Sequence, residues 1–284
     1  MRPRDSSADN PRRMLEELGL SPRRRRGQNF LHDRNVARKI VALARDLGPP
    51  FLEIGPGLGA LTSFLAEAGE PTVAVEVDRG LAQFLRWRYA GTSVETVEAD
   101  VLAVPEGEWR RRFPRGGTVV GNLPYSISSP IVLRLMELRE IFPRAVLMLQ
   151  KEMAGRLCAS PGGKEYGILS VYLSVLSEAR LEFPVRRTCF TPSPEVDSAV
   201  FSIRFRTGVP EPAFRRLQTV VRASFARRRK TLRNAPVDFL PGGTEQWCDL
   251  LSRSGVDPST RAETVSPGSY LQLAAALPAD PGPG

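Results

Sequence analysis

Phe51-Leu52-Glu53-Ile54-Gly55-Pro56-Gly57-Leu58-Gly59-Ala60 is a short apolar run that ends in three glycines and passes into a helical pattern. It reads as a buried strand, a tight glycine turn and the start of a helix. Glycines let the backbone approach a ligand closely, and a helix N-terminus offers free N–H groups. Glu76 closes the next apolar run about 20 residues beyond Gly55, where a carboxylate can accept hydrogen bonds from ribose hydroxyls. Asp100 follows the third run, placed for a base edge.

Outward from that stretch the pattern alternates. Asp33 suits the N-cap of an amphipathic helix that ends near Leu47, with Gly48 as its stop. Strands are expected at 51–54, 72–77, 94–97, 118–121 and 145–149, with helices at 60–68, 79–89 and 130–138. A long loop is expected after 97. Such alternation implies a mostly parallel sheet with helices on both faces. Beyond Lys151 the pattern loosens into helical stretches at 151–158 and 165–178, then strands at 180–183 and 198–205. Residues 207–210 read as a linker, and only helical periodicity is visible from Pro212 on. The expected division is a basic, mobile segment over 1–26, holding a short helix around 14–18, a main domain over 27–207, a helical domain over 208–277 and a disordered tail over 278–284.

The chain has 284 residues, 42% of them hydrophobic, enough for one large domain and a smaller one. Its 40 Lys and Arg against 31 Asp and Glu favour a polyanionic partner, nucleic acid before membrane. Cys158, Cys189 and Cys248 are far apart and form no C-x-x-C pair, which suits reduced thiols in the cytoplasm and offers no metal site. His32 is the only histidine and reads as a surface or capping residue. No signal peptide and no run long enough to span a membrane is visible.

Gly121-Asn122-Leu123-Pro124-Tyr125 follows the strand run Thr118-Val119-Val120. Asn122 can accept a hydrogen bond through its side-chain oxygen. Pro124 disfavours the α region for Leu123, so the Leu123 carbonyl can serve as a second acceptor. Tyr125 offers a stacking face. Together these groups suit a flat base and its exocyclic amine; the plain alternative is a strand followed by a helix-starting proline. The glycine turn itself has two functional readings. It loosely fits the dinucleotide fingerprint, which would mean an NAD-type oxidoreductase, and it fits the nucleoside pocket of methyltransferases that use S-adenosylmethionine. Glu53 before the turn, Asp100, and the Asn122–Tyr125 block decide for methyl transfer. In an open α/β sheet the first and fourth of these strands flank the point where strand order reverses, so the amine-gripping block would face the cofactor.

The chain closely resembles the KsgA family, the small-subunit rRNA adenine dimethyltransferases, from about Arg25 to Tyr270. The blocks are GQNFL at 27–31, EIGPGLG at 53–59, E-x-D at 76–78, GNLPY-x-I-S at 121–128, LQKE at 149–152 and YG-x-LS at 166–170. F-x-P-x-P-x-VDSAV at 190–200, F-x-RRRKTLRN at 225–234 and RAE at 261–263 complete the set. The last two separate this family from the erythromycin-resistance methylases, which act on large-subunit rRNA. Two departures are minor: Arg23–Arg26 stand where the family often has lysines, and Ser126 where it often has Asn.

The resemblance implies a Rossmann-like S-adenosylmethionine-dependent methyltransferase sheet with a small C-terminal helical domain. It implies that Asn29, Leu31, Gly55, Gly57, Glu76, Asp100 and Asn122 line the S-adenosylmethionine pocket. Asn122, Leu123, Pro124 and Tyr125 would hold the target adenine, with Phe190 stacking on its other face. The product would be dimethyladenosine at two adjacent adenines in the 3′-terminal hairpin of small-subunit rRNA, within an assembling 30S particle, made by a monomer. Phe190 could also be a core residue, but its polar, proline-rich setting argues for the site. Arg222, Arg227, Arg228, Arg229, Lys230 and Arg233 could be a solvated face; with Arg215 and Arg216 near, phosphate contact is the stronger reading. Lys151 and Glu152 could simply cap a helix. A noncatalytic RNA-binding assembly factor is argued against by the intact Glu76, Asp100 and Asn122–Tyr125.

Overall fold

The structure, a computed structural model, describes residues 10–22 and 28–278. The basic run Arg23–Arg26 with Gly27, the first nine residues and residues 279–284 lie outside the described residues. In chain order the elements are α1 (Pro11–Glu17), β1 (Phe30–Leu31), α2 (Arg34–Leu47), β2 (Phe51–Ile54), α3 (Thr62–Glu67), β3 (Thr72–Glu76), α4 (Arg79–Arg88) and β4 (Val94–Glu98). Next come α5 (Glu106–Arg112), β5 (Thr118–Asn122), α6 (Ser128–Glu137), β6 (Arg144–Gln150), α7 (Lys151–Leu157), α8 (Ile168–Leu176) and β7 (Ser177–Val185). The chain closes with β8 (Phe190–Thr191), β9 (Ser198–Phe205), α9 (Glu211–Phe225), α10 (Gly243–Arg253) and α11 (Pro267–Ala276). Two compact units result: one runs to Ala154 and resumes over Arg180–Phe205, and the other holds Gly155–Ala179 and the chain from Arg206.

The first unit is built on a sheet of order β4-β3-β2-β5-β6-β9-β7. The pairs β2–β3, β3–β4, β2–β5 and β5–β6 are parallel, as the alternating pattern requires, and β6–β9 is antiparallel. Ile54 pairs with Val75 on one side and Gly121 on the other. Strand order reverses between β2 and β5, so their carboxyl ends open a crevice. Caps set the helices over this sheet: Asp33 accepts from the N–H groups of Asn35 (2.9 Å) and Val36 (3.1 Å), and Asp78 accepts from Gly80 and Leu81. Ile40 and Ala44 of α2 bury against Phe51, Val120, Val146 and Met148.

Several local expectations change. The stretch read as a long loop contains α5, whose Trp109 is buried against Phe113 and Phe142. Its signal was present: Glu106–Arg110 and Glu108–Arg112 pair at i,i+4, and Trp109 and Phe113 share that spacing. The polar N-terminal stretch, expected to be mobile, carries α1, capped by Asn10 and anchored through buried Leu15 among Phe30, Leu58, Leu81 and Phe84. The first unit does not include 155–179, although the expected main domain ran unbroken to 207.

The second unit is helical. α8 buries Val171, Tyr172, Leu173, Val175 and Leu176, nearly its whole circumference. Such a helix must be covered on all sides, and α9 and α11 cover it. Tyr172 packs edge-on to Phe214 at 5.5 Å. The polar tips of its large buried aromatics are paired: Trp247 Nε1 donates to the Leu232 carbonyl (2.9 Å), and the hydroxyls of Tyr166 and Tyr270 donate to those of Val265 (3.0 Å) and Ala262 (2.9 Å). Among the described residues no helix is long and apolar enough to cross a membrane.

Candidate active site

The crevice at the ends of β2 and β5 is a cavity of about 310 Å³, within the first unit. Asn29, Leu31, Gly55, Gly57, Glu76, Asp100 and Asn122 all line it, and so do Leu123, Pro124 and Tyr125. Its volume sits at the lower end of ligand-binding cavities, roughly 300–1,000 Å³.

The glycine turn is shaped by its neighbours. Gly57 has φ +59°, and a Cβ there would meet the Phe30 ring at 3.2 Å. At Gly59 (φ +86°) a Cβ would fall 2.6 Å from the Tyr89 hydroxyl, which donates to the Gly59 carbonyl at 3.2 Å. Only glycine combines that conformation with that proximity. The Gly57 N–H donates to Glu76 Oε2 at 3.1 Å, and the Asp78 N–H to Oε1 at 2.9 Å. Glu76 is thereby fixed at the end of β3, with its carboxylate at the cavity. Asp100, exposed beyond β4, accepts from the Leu102 N–H at 3.0 Å. Carboxylates on two neighbouring strand ends, the glycine turn at the end of the next strand and the apolar Val77 fit a nucleoside with an amino-acid arm.

At the end of β5, Asn122 Nδ2 donates to the Asn29 carbonyl at 3.1 Å, so its Oδ1 is left to accept. The Leu123 N–H is committed to the Met148 carbonyl at 3.0 Å. The turn that follows takes its bonds at the Pro124 carbonyl, from Ser128 Oγ (3.0 Å) and the Ile127 N–H (3.2 Å), rather than at that of Leu123. The Tyr125 hydroxyl bonds Ser198 Oγ at 3.0 Å, holding the half-buried ring at the cavity wall. Burial raises the phenol's pKa, with Ser198 pulling the other way, so it stays neutral.

Phe190 lies elsewhere. β1 and β8 pair antiparallel, Leu31 opposite Phe190 and Phe30 opposite Thr191, which joins the GQNFL block to the proline-rich loop. Phe190 is 3% exposed, packed in the cluster of Leu31, Val120, Met148 and Val200, and is not part of the cavity lining. The expected stacking role is not met in this geometry; the apolar cluster under β1 claims the ring. The sequence reading also missed Phe30, whose ring backs the glycine turn, and the Asn29 carbonyl, which orients Asn122. A two-residue strand has too little length to leave a periodic signal.

The basic residues Arg222, Arg227, Arg228, Arg229, Lys230 and Arg233 are exposed in the second unit. α9 ends at Phe225, so 227–230 is a turn rather than a helix face. Arg227 donates to the Asn234 carbonyl at 3.2 Å. Arg228 is committed further: it pairs with Glu263 at 3.3 Å, donates to the Tyr166 carbonyl at 3.2 Å, and donates to the Lys164 carbonyl. That ties the YG, RRRK and RAE blocks together. The expectation of a phosphate contact from Arg228 gives way to a structural tie, because two carbonyls and a carboxylate already hold its guanidinium.

Comparison with known proteins agrees with this geometry. The sequence model of the family described as "Ribosomal RNA adenine dimethylase" matches residues 19–278. The chain is 44% identical over 276 residues to the ribosomal RNA small subunit methyltransferase A of Geobacter sulfurreducens, covering 91% of this chain and 96% of that one. It is 42% identical over 280 residues to the protein of the same name from Pelotomaculum thermopropionicum, at 93% and 94% coverage. Among solved structures it is similar to a dimethyladenosine transferase from Plasmodium falciparum (TM-score 0.70, 25% identity, 86% and 95% coverage). It is also similar to the 23S rRNA methyltransferase ErmE (TM-score 0.64, 30% identity, 87% and 98% coverage).

Proposed function

The chain belongs to the ribosomal RNA adenine dimethylase family, and we propose that it methylates N6 of two adjacent adenines in the 3′-terminal hairpin of small-subunit rRNA, giving dimethyladenosines. The observation that carries this reading is the meeting of the Asn122–Tyr125 turn with Glu76 and Asp100 at one cavity. S-adenosylmethionine, bound there, supplies an electrophilic methyl group. Glu76 would hold the ribose, Asp100 the base edge, and the turn over Gly55–Gly57 the amino-acid arm, with Asn29 and Leu31 closing the pocket.

An adenine amine is a poor nucleophile because its lone pair is delocalised into the ring. Asn122 Oδ1 and the Leu123 carbonyl would accept the two amine hydrogens and aim the lone pair, while Pro124 and Tyr125 position the ring. This is catalysis by orientation and local electrostatics, worth roughly 7–11 kcal/mol at most. It calls for no strong base: His32, the only histidine, is exposed and does not line the cavity. After one transfer the amine keeps a hydrogen that either acceptor can hold, so a second transfer is open to the same site. Arg222, Arg227, Arg229, Lys230 and Arg233 would bear on rRNA phosphates. The names of the relatives support a small-subunit substrate, and we place the enzyme in the cytoplasm, acting as a monomer on assembling 30S particles.

The likeness to ErmE keeps a large-subunit target as the competing reading. Incubation with labelled S-adenosylmethionine and undermethylated ribosomal subunits, followed by nucleoside mass spectrometry, separates the two. Dimethyladenosine in small-subunit rRNA is expected. A product that stops at monomethyladenosine, or that lies only in large-subunit RNA, overturns the proposal.

A further inference from the structure

Glu53 is a buried carboxyl of the cavity that the proposed chemistry leaves without a task. It sits one residue before the end of β2 and is 1% exposed. Its Oε2 has no hydrogen-bond partner among the described residues. Such an oxygen costs free energy unless the group is neutral or a ligand completes it.

The groups that face it supply no compensating cation. On β3 stands Glu76, also buried and lining the same cavity. On α3, Thr62 lies against the carboxyl. At the end of α4 stands Tyr89, buried, whose hydroxyl is committed to the Gly59 carbonyl. Glu67 and Arg88 bear on Tyr89 in turn, and the Arg88 guanidinium lies over the Phe84 and Tyr89 rings at 5.6 and 6.0 Å. Burial, reinforced by the charge of Glu76 and only partly offset by Thr62, pushes the Glu53 carboxyl up to about 8. The cavity thus holds two buried carboxyls, one fixed by backbone N–H donors and one with an oxygen, Glu53 Oε2, that has no hydrogen-bond partner among the described residues.

We infer that Glu53 is a neutral acid in the empty pocket and gives up its proton to solvent when a cationic ligand enters, so that uptake of S-adenosylmethionine is coupled to proton release. This rests on reading the cavity as the S-adenosylmethionine pocket. The ligand carries a sulfonium and an α-ammonium, and positive charge beside Glu53 reverses the penalty that keeps the carboxyl protonated. The sign follows from linkage. Binding to a form that has lost a proton tightens as pH rises toward the empty-pocket value, and the gain levels off above it. The charge of Glu53 is therefore set by the ligand.

Calorimetry of the full-length protein with S-adenosylmethionine at pH 7, in phosphate and in Tris, counts the protons exchanged. With an empty-pocket value near 8, about 0.9 proton should be released per ligand at pH 7, and the Kd should tighten about tenfold from pH 6 to pH 7. Glu53→Gln, a close isostere, should release no proton and show a flat Kd over that interval. Adenosine, which is uncharged, should release none from the wild type. Wild-type binding without proton release, equal release with adenosine, or undiminished release from folded Glu53→Gln would each overturn the inference. If Glu53→Gln does not fold, the wild-type proton count decides. Absence of S-adenosylmethionine binding at every pH would instead overturn the reading of the pocket.

Discussion

Arg228 and Arg229 are neighbours in one basic run, yet they should answer to different measurements. Arg228 makes two hydrogen bonds to backbone carbonyls and an ion pair with Glu263, its side chain 47% and that of Glu263 27% exposed. Charged hydrogen bonds contribute roughly 1.5–3 kcal/mol when sheltered, and surface ion pairs about 0–1. Discounting for half exposure, Arg228→Ala should cost about 2 kcal/mol. With a urea slope of roughly 1–3 kcal/mol/M, the midpoint of the second unit should fall by about 1 M. Hydrogen exchange over 160–170 should quicken, because Gly162 and Tyr166 lie in the loop this tie holds, and Gly162 N–H bonds the Glu263 carbonyl at 2.7 Å. Arg229 is exposed, so Arg229→Ala should leave stability within about 0.5 kcal/mol. It should reduce the log–log salt slope of RNA binding by roughly 0.7–0.9. The reasoning is refuted if Arg228→Ala keeps wild-type stability and exchange while losing a phosphate contact.

Asn122→Ala should cut methyl transfer a hundredfold or more, as expected for loss of an oriented polar group, while a filter-binding assay finds RNA affinity intact. Glu76→Ala should weaken S-adenosylmethionine binding by about 1.5–3 kcal/mol, read by calorimetry, with RNA affinity unchanged. Phe190→Ala should lower stability by about 3–5 kcal/mol, whereas Phe190→Leu should cost under about 1.5 and retain methyl transfer. A folded Phe190→Leu variant that has lost transfer would return the ring to the base-stacking role.

Legibility followed the physics of each feature. The β2–turn–α3 unit, the capped α2 and the parallel strands were visible because a buried strand and an amphipathic helix leave periodic marks. The insertion of β9 between β6 and β7 was not visible, because strand order depends on partners far along the chain. The same holds for α8. Its sequence announces that it is buried all round, but not that α9 and α11 bury it. β1 and β8 are two residues each, and only their register shows that the GQNFL block reaches Phe190.

The sequence-read residues that the structure brings to the cavity are those whose chemistry has few other uses at that place. A carboxylate ending a parallel strand beside a glycine turn, as Glu76 does, has no core role to play, and the structure brings it to the cavity. Asn122 is similar: a neutral amide at a strand end must find partners, and the Asn29 carbonyl takes one hydrogen while leaving the oxygen. Phe190 and Arg228 differ because each type has two good fates. An aromatic ring can stack on a base or fill a core, and a guanidinium can hold a phosphate or backbone carbonyls. Which fate wins depends on distant chain: β1 over Phe190, and the 164–166 loop with Glu263 against Arg228. Glu53 shows the converse. Its residue type was conspicuous in the motif, but only the fold shows the unpartnered oxygen and the nearby Glu76 on which the inference of a ligand-set charge rests.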